Sequence, residues 1–219
     1  MIIEKYNVKL RRLEKADLEL VRLQRNSPAI RTRMFYQEEI TLAAQEKWFD
    51  SINNAMHYYF VIEAKGRCVG LLNGNIRSFD EGTIEAGIFI WDQQFLASRT
   101  AAASALCVLD FHFTLMNMKE VFIEVRTDNQ KAIGFNEYLG FKRFKEEHEK
   151  GRVWLYLEKE SYLVHTQKLR RGVMRAAKET KPLDWEDVHF SEMDRSLLHE
   201  LPEVIYQAIL PSIPADLRR

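Results

Sequence analysis

The chain has 219 residues, 46% of them hydrophobic and 29% charged, which suffices for one good core plus an appendage. Lys plus Arg and Asp plus Glu balance at 32 each, so nothing in the charge favours nucleic acid as the main partner. The longest apolar run of the C-terminal half, around Leu106 to Leu109, is far too short to span a bilayer, and Met1 to Tyr6 has no signal-peptide pattern, so the expected compartment is the cytoplasm.

The predicted elements begin with a strand over Val8 to Leu13, followed by Glu14 to Asp17 and a helix carrying Leu18, Val21 and Leu23. Asn26-Ser27-Pro28 ends that helix, because a residue before proline is pushed out of helical geometry. Ala29 to Met34 form a turn or short helix, and Thr41 caps a second helix through Gln45, Trp48 and Phe49 as far as Asn53-Asn54. Tyr58 to Ala64 and Cys68 to Asn75 flank Lys65-Gly66 as a hairpin. Thr83 to Trp91 is the next strand, and Thr100 to Met116 is an Ala-rich helix too apolar all round to lie on an exposed surface. Val121 to Val125 is a strand, a helix opens at Asn129, and Phe141 to Glu147 with Arg152 to Leu157 make a closing antiparallel pair. This order predicts an α/β (α+β) fold, a mixed sheet with helices on both faces.

Residues 159–219 read as a helical C-terminal extension beyond a first unit of residues 1–158. Leu163, Leu169 and Val173 mark one helix, with five basic residues from Lys168 to Lys178. Leu197, Leu198, Leu201, Val204, Ile205 and Ile209 mark a second amphipathic stretch. Three uses stay open: a cap on the sheet, a homodimer contact, or membrane or acyl-carrier contact through the basic stripe. Cys68, Cys107 and the six histidines show no ligand spacing, so no metal is expected and both thiols read as buried.

The segment Asn129 to Phe141 has the most specific wording. Asn129 suits a helix start and Gly140 the left-handed residue that ends one. Strand, Asn, Ala, amphipathic helix and Gly-Phe resemble the acetyl-CoA-binding half of the GNAT N-acetyltransferases, whose pattern is N-x-x-A-x-x-x-Y-x-x-x-G-F. Asn129, Ala132, Gly140 and Phe141 match it; Asn136 stands where the pattern has tyrosine. The element order over residues 8 to about 158 resembles that family too, which implies a mostly antiparallel sheet. Within it, Arg25 to Arg31, Ile40-Thr41, Trp48-Phe49, Tyr59 to Ile62, Val69-Gly70 and Glu85 to Ile88 resemble the branch acting on nucleotide-linked amino-sugars and ribosomal-protein N-termini.

The resemblance implies acetyl-CoA as co-substrate and a primary amine as acceptor, first of all an amino-sugar on a nucleotide carrier. Two alternatives stand beside it: a non-catalytic GNAT-like module and a protein N-terminal acetyltransferase. The CoA pyrophosphate suits a helix N-terminus, where backbone N–H groups and the helix dipole favour an anion. The family's loop, Q/R-x-x-G-x-G/A, falls on Leu96, Ala97, Ser98, Arg99, Thr100 and Ala101. Ala101 fits, Leu96 replaces the polar residue, and Arg99 replaces the first glycine. Arg99 either turns outward to meet a phosphate or marks a weakened site. Phe89, Ile90, Asn129, Ala132 and Phe135 complete the implied cofactor contacts.

Glu85 is the first candidate base, because it precedes Arg99 at the spacing at which histone-type members carry their catalytic glutamate, and Ile88 and Phe89 are expected to wall it in. Glu124 is the second, on the adjacent strand; structural pairing with an arginine is the bland alternative. Asn136 can hydrogen-bond a leaving thiolate but cannot protonate it, and Tyr138 points about 200° away around the helix. Arg25, Asn26, Arg31 and Trp48 stand where the family builds its acceptor pocket, with a solvated basic face as their alternative reading.

Overall fold

Alternation along the strands decides the layers of this molecule, because successive side chains of a strand point to opposite faces. The computed structural model describes residues 1–96 and 98–219. In chain order it contains β1 (Ile2–Lys5), β2 (Val8–Arg12), α1 (Leu18–Asn26), α2 (Pro28–Arg31), α3 (Leu42–Ile52), β3 (His57–Ala64), β4 (Arg67–Ser78) and β5 (Thr83–Ile90). There follow α4 (Gln93–Leu96), α5 (Arg99–Asp110), β6 (Glu120–Arg126), α6 (Gln130–Tyr138), β7 (Lys142–Glu147) and β8 (Arg152–Glu158). The tail supplies α7 (Lys159–His165), α8 (Gln167–Ala177), β9 (Val188–His189), α9 (Arg195–Glu200) and α10 (Glu203–Ile209).

The strands form one sheet in the order β7-β8-β6-β5-β4-β3-β2-β1-β9. Its pairs are antiparallel except β5 with β6. That parallel ladder holds three rungs, Thr83↔Glu120, Ile84↔Val121 and Glu85↔Phe122. Past Glu85, β5 continues against β4 alone, from Ala86↔Gly74 to Ile90↔Gly70. One face of the sheet buries Phe60, Ile62, Leu72, Ile84, Val121, Ile123 and Leu155 with Leu106 and Phe113 of the long helical segment. On the other face, Leu18 and Val21 of α1 and Phe49 and Ile52 of α3 pack on Val61 and Leu71.

Two elements differ from their sequence expectation. The long helix expected to reach Met116 leaves α-geometry at Asp110, and one π-turn follows over Phe111–Leu115, closed by Met116 N–H donating to the Phe111 carbonyl at 2.8 Å. The chain also forms β1 before the expected first strand. Its hairpin turn, Tyr6-Asn7, places both residues at positive φ, 59° and 61°, where a bulky tyrosine is disfavoured.

That turn is held from above. The Tyr6 hydroxyl donates to Asp110 Oδ2 at 2.8 Å and accepts the Leu183 N–H at 3.2 Å. Asp110, 1% exposed, also accepts from the Tyr162 hydroxyl at 2.7 Å and from Arg170 Nη1 at 2.5 Å. Burial, reinforced by the Asp110 charge, pushes both tyrosine hydroxyls above their ordinary acidity range. A few residues on, β9 pairs with β1 through Ile2↔His189 and Ile3↔Val188, and Lys5 meets Asp187 and Glu179 at 3.0 and 3.1 Å. Tyr162, Val173, Leu183 and Val188 enter the main core. The extension is therefore mostly helical, adds one strand to the sheet edge, and is fastened there.

Removing Arg170 leaves Asp110 buried without its cation. The Arg170→Met variant is expected to lose about 3–5 kcal/mol of unfolding free energy in urea, and Tyr162→Phe, which removes one hydrogen bond, about 1 kcal/mol.

Candidate active site

The site lies where β5 and β6 part. Because only three rungs join them, the β6-facing backbone of Ala86 to Ile90 has no strand beside it. The N-terminus of α5 follows after the short turn of α4. Ser98 caps it, its Oγ accepting from Thr100 N–H at 3.1 Å and donating to the Phe95 carbonyl at 2.8 Å. No acidic residue stands in the first turn, and first-turn amides have no partner within the helix. Arg99 and Leu96 are exposed, Thr100 is half-buried and Ala101 is buried; Ala97, also expected at this loop, lies outside the described residues. Lys65 and Arg67 flank the Phe95 ring at 6.0 and 5.8 Å. An anion-binding helix end, an outward arginine and a strand edge with free backbone groups together fit a CoA-type co-substrate.

Across the opening, Asn129 caps α6 by accepting the Ala132 N–H at 3.3 Å. Gly140 takes φ 98°, and a Cβ there would stand 2.9 Å from His165 Cβ. Ala132 and Phe135 are half-buried against the main core. One Asn136 N–H donates to the Ala132 carbonyl at 2.8 Å, which commits part of that amide to its own helix. Tyr138 is 61% exposed. Phe89 and Ile90 face opposite sides of β5: Ile90 joins the main core, while Phe89 lines the cavity described below.

Register places Tyr59, Asn73, Asn75, Glu85, Gly87, Phe89, Phe122 and Glu124 on one face. Glu85 Oε2 accepts from Arg77 Nη2 at 2.7 Å, and that guanidinium lies 4.9 Å from the Phe122 ring centre and 5.4 Å from Trp154. Ile88, expected to wall Glu85 in, points to the opposite face by alternation. Glu124 Oε1 stands 2.6 Å from Arg152 Nη1, an ion pair without hydrogen-bond alignment, and Arg152 rests 4.9 Å from the Phe35 ring centre. Burial raises the Glu124 pKa above the ordinary glutamate value, nearby Glu85 and Glu147 add to the shift, and Arg152 and Arg77 oppose it. Extending the β5–β6 register by two residues sets Glu124 level with Gly87, which pairs with Asn73.

Beside this rung is a cavity of about 400 Å³. Arg25 and Trp48 line it, as do Val21, Tyr36, Ile40, Ala44, Gln45, Tyr59, Leu71, Asn73 and Phe89. The Trp48 and Tyr59 rings meet edge-on with centres 5.0 Å apart. Asn26 has a different place: its Nδ2 donates to the Ile40 carbonyl at 2.8 Å and its Oδ1 accepts the Ile40 N–H at 2.9 Å, which ties the 32–40 segment to α1. Arg31 does not line the cavity. Tyr36, Gln45, Tyr59 and Asn73 were missed in sequence. The polar Asn73 and Asn75, alternating inside an otherwise apolar strand, were the available signal.

Fold and site together define an acyltransferase of the kind that opens its sheet for a thioester. The sequence pattern described as "Acetyltransferase (GNAT) domain" matches residues 7–142, and the chain belongs to that family. Among its relatives is the spermidine N(1)-acetyltransferase of Escherichia coli (strain K12), 27% identical over 138 residues, which are 62% of this chain and 73% of that one. A crystal structure of spermidine N-acetyltransferase from Vibrio cholerae in complex with CoA and spermine has the same fold, with TM-score 0.61 at 22% identity over 73% of this chain and 99% of that one. A nucleotide-linked sugar GNAT has TM-score 0.66 at 18% identity, over 78% of this chain and 97% of the other. Among the described residues no helix is long and apolar enough to cross a membrane.

The Asn26 clasp gives a direct check on the cavity wall. Asn26→Ala is expected to raise the acceptor KM severalfold while leaving CoA affinity unchanged, measured by steady-state kinetics and by titration with CoA.

Proposed function

We propose that this protein transfers the acetyl group of acetyl-CoA to the primary amine of a small molecule, with a nucleotide-linked amino-sugar as the first acceptor class. The observation that supports this reading most is the aromatic cavity with Arg25 at its wall, bounded by Asn73 and Phe89 on the sheet face that also carries Glu85 and Glu124. Membership of the acetyltransferase family supplies the reaction type. Residues 1–158 form the acetyltransferase unit in this reading, and 159–219 form the extension clamped to it.

Acetyl-CoA, when bound, supplies an activated acyl group and a thiol leaving group. The chain has to hold the anion, take a proton from the acceptor ammonium and exclude water. Anion binding falls to the α5 N-terminus with Ser98 to Ala101, and Arg99 adds a mobile cation at its rim. Proton abstraction falls to Glu124. Its partial burial brings its acidity closer to that of the amine than an ordinary glutamate's. Glu85, one rung away and held by Arg77, adds negative charge that keeps the Glu124 proton affinity high. Asn136 offers the thiolate side a hydrogen bond and no proton, so solvent supplies that proton.

A second reading follows from the names of the relatives, which act on spermidine. A polyamine needs carboxylates around it, and among the described residues none of those lining the cavity is acidic. A non-catalytic module with a degenerate CoA loop, suggested by Arg99 and Asn136, would release no thiol and show no thermal shift at millimolar CoA.

Thiol release from acetyl-CoA across a panel of amines decides among these readings, and a thermal shift with CoA alone comes first. CoA at a hundred times its Kd is expected to stabilise the fold by about 2.7 kcal/mol. Glu124→Gln is expected to lower kcat by about 10²–10⁴-fold with CoA binding kept. Arg152→Gln removes a cation that favours the charged carboxylate, so the Glu124 pKa rises further and the acidic limb of the pH–rate profile moves to higher pH. An unmoved limb in Arg152→Gln would return the base to Glu85.

A further inference from the structure

The cavity wall contains a guanidinium that has a buried nitrogen without a protein partner. Arg25 leaves the last turn of α1, and its Nη2 donates to the Tyr36 carbonyl at 3.1 Å. Its Nη1 is buried and has no protein partner. Neighbouring arginines are handled differently: Arg22 pairs with Glu19 at 2.7 Å, and Arg11 pairs with Asp17 and Glu63 at 2.8 Å. Around Arg25 the cavity offers Tyr36, Ile40, Trp48 and Tyr59, and none of its described lining is a carboxylate. Burial lowers the Arg25 pKa, with no carboxylate among the groups acting on it. An arginine remains charged at neutral pH even so, and a buried charge without a counter-charge is costly.

We infer that the acceptor carries an oxyanion, a phosphate or a carboxylate, which pairs with Arg25 Nη1 while its amine lies toward Glu124. This rests on the acetyltransferase reading of the site and narrows its substrate class. The aromatic corner of Trp48 and Tyr59, with ring centres 5.0 Å apart, gives the part of the acceptor between amine and anion a surface to pack on. Gln45 and Asn73 bring amides to the same wall, suited to hydroxyl groups. A polyamine would set ammonium groups against Arg25, and like charges repel there.

The test uses acceptors matched in pairs that differ only by the anion. Glucosamine against glucosamine 1-phosphate probes phosphate, tyramine against tyrosine probes carboxylate, and spermidine is the polycationic control. A charge-assisted hydrogen bond corresponds to roughly a tenfold to hundredfold preference in kcat/KM for the anionic member of at least one pair. The pair that shows it identifies the source of the anion. Arg25→Gln is expected to bring that ratio close to one, mainly through KM and with CoA affinity unchanged, and Arg25→Lys to restore part of it. Calorimetric binding of the same pairs to the CoA-loaded protein reads the anchor without turnover. Equal use or equal affinity within both pairs, a ratio unchanged in Arg25→Gln, or preference for spermidine overturns the inference. Absence of thiol release with any amine, together with anion-selective binding lost in Arg25→Gln, would refute the enzyme reading and leave the anchor standing.

Discussion

Everything the site can do depends on how briefly β5 and β6 stay together. Three parallel rungs join the halves of the sheet, and the strands then separate with each held by another neighbour, β5 by β4 and β6 by β8. Backbone groups left without a strand are costly unless something else pairs with them. Here they lie next to a capped helix N-terminus, and in the proposed reading the strand edge, the helix end and Arg99 serve one ligand.

The rest of the fold keeps that opening in place. α5, whose N-terminus lies at the gap, is anchored at its other end, where Asp110 gathers Tyr6, Tyr162 and Arg170. Those partners come from the first hairpin and from α7 and α8, so one buried carboxylate connects the sheet edge, the long helix and the tail. A carboxylate so placed adds little net stability when complete and is damaging when a partner is missing. The positive φ of Tyr6 is tolerated because its hydroxyl is engaged twice. On the other face, α1 and α3 wall the cavity that the proposed reading gives to the acceptor, and Asn26 clasps Ile40 of its lining.

Much of this was legible in the sequence because it is periodic or capped. Thr41 and Asn129 open their helices with side chains that favour such positions, and the strands from Tyr58 to Leu157 alternate or run apolar as strands do. The segment Asn129 to Phe141 identified the fold because its caps and glycine recur at fixed offsets. What was not legible depends on contacts distant in sequence. The Tyr6-Asn7 turn contradicts local preference and is rescued by Asp110, 104 residues away. The π-turn after Asp110 lies in a stretch whose apolar residues would suit a continued α-helix equally well. β9 is two residues long, too short for any alternation to show. In the site, Arg25 and Trp48, read from the sequence as acceptor-side residues, do line one cavity, whereas the separate contacts of Asn26 and Glu85 appear only once Ile40 and Arg77 are beside them.

The central claim is that the gap between β5 and β6 receives the acyl donor, and hydrogen exchange across β5 tests it most directly. With CoA bound, the amides of Ala86 to Ile90 on the β6 side are expected to slow markedly, while those of Thr83 to Glu85, already in the ladder, change little. Saturation with CoA that leaves Ala86 to Ile90 exchanging as before, with new protection elsewhere, would contradict the account.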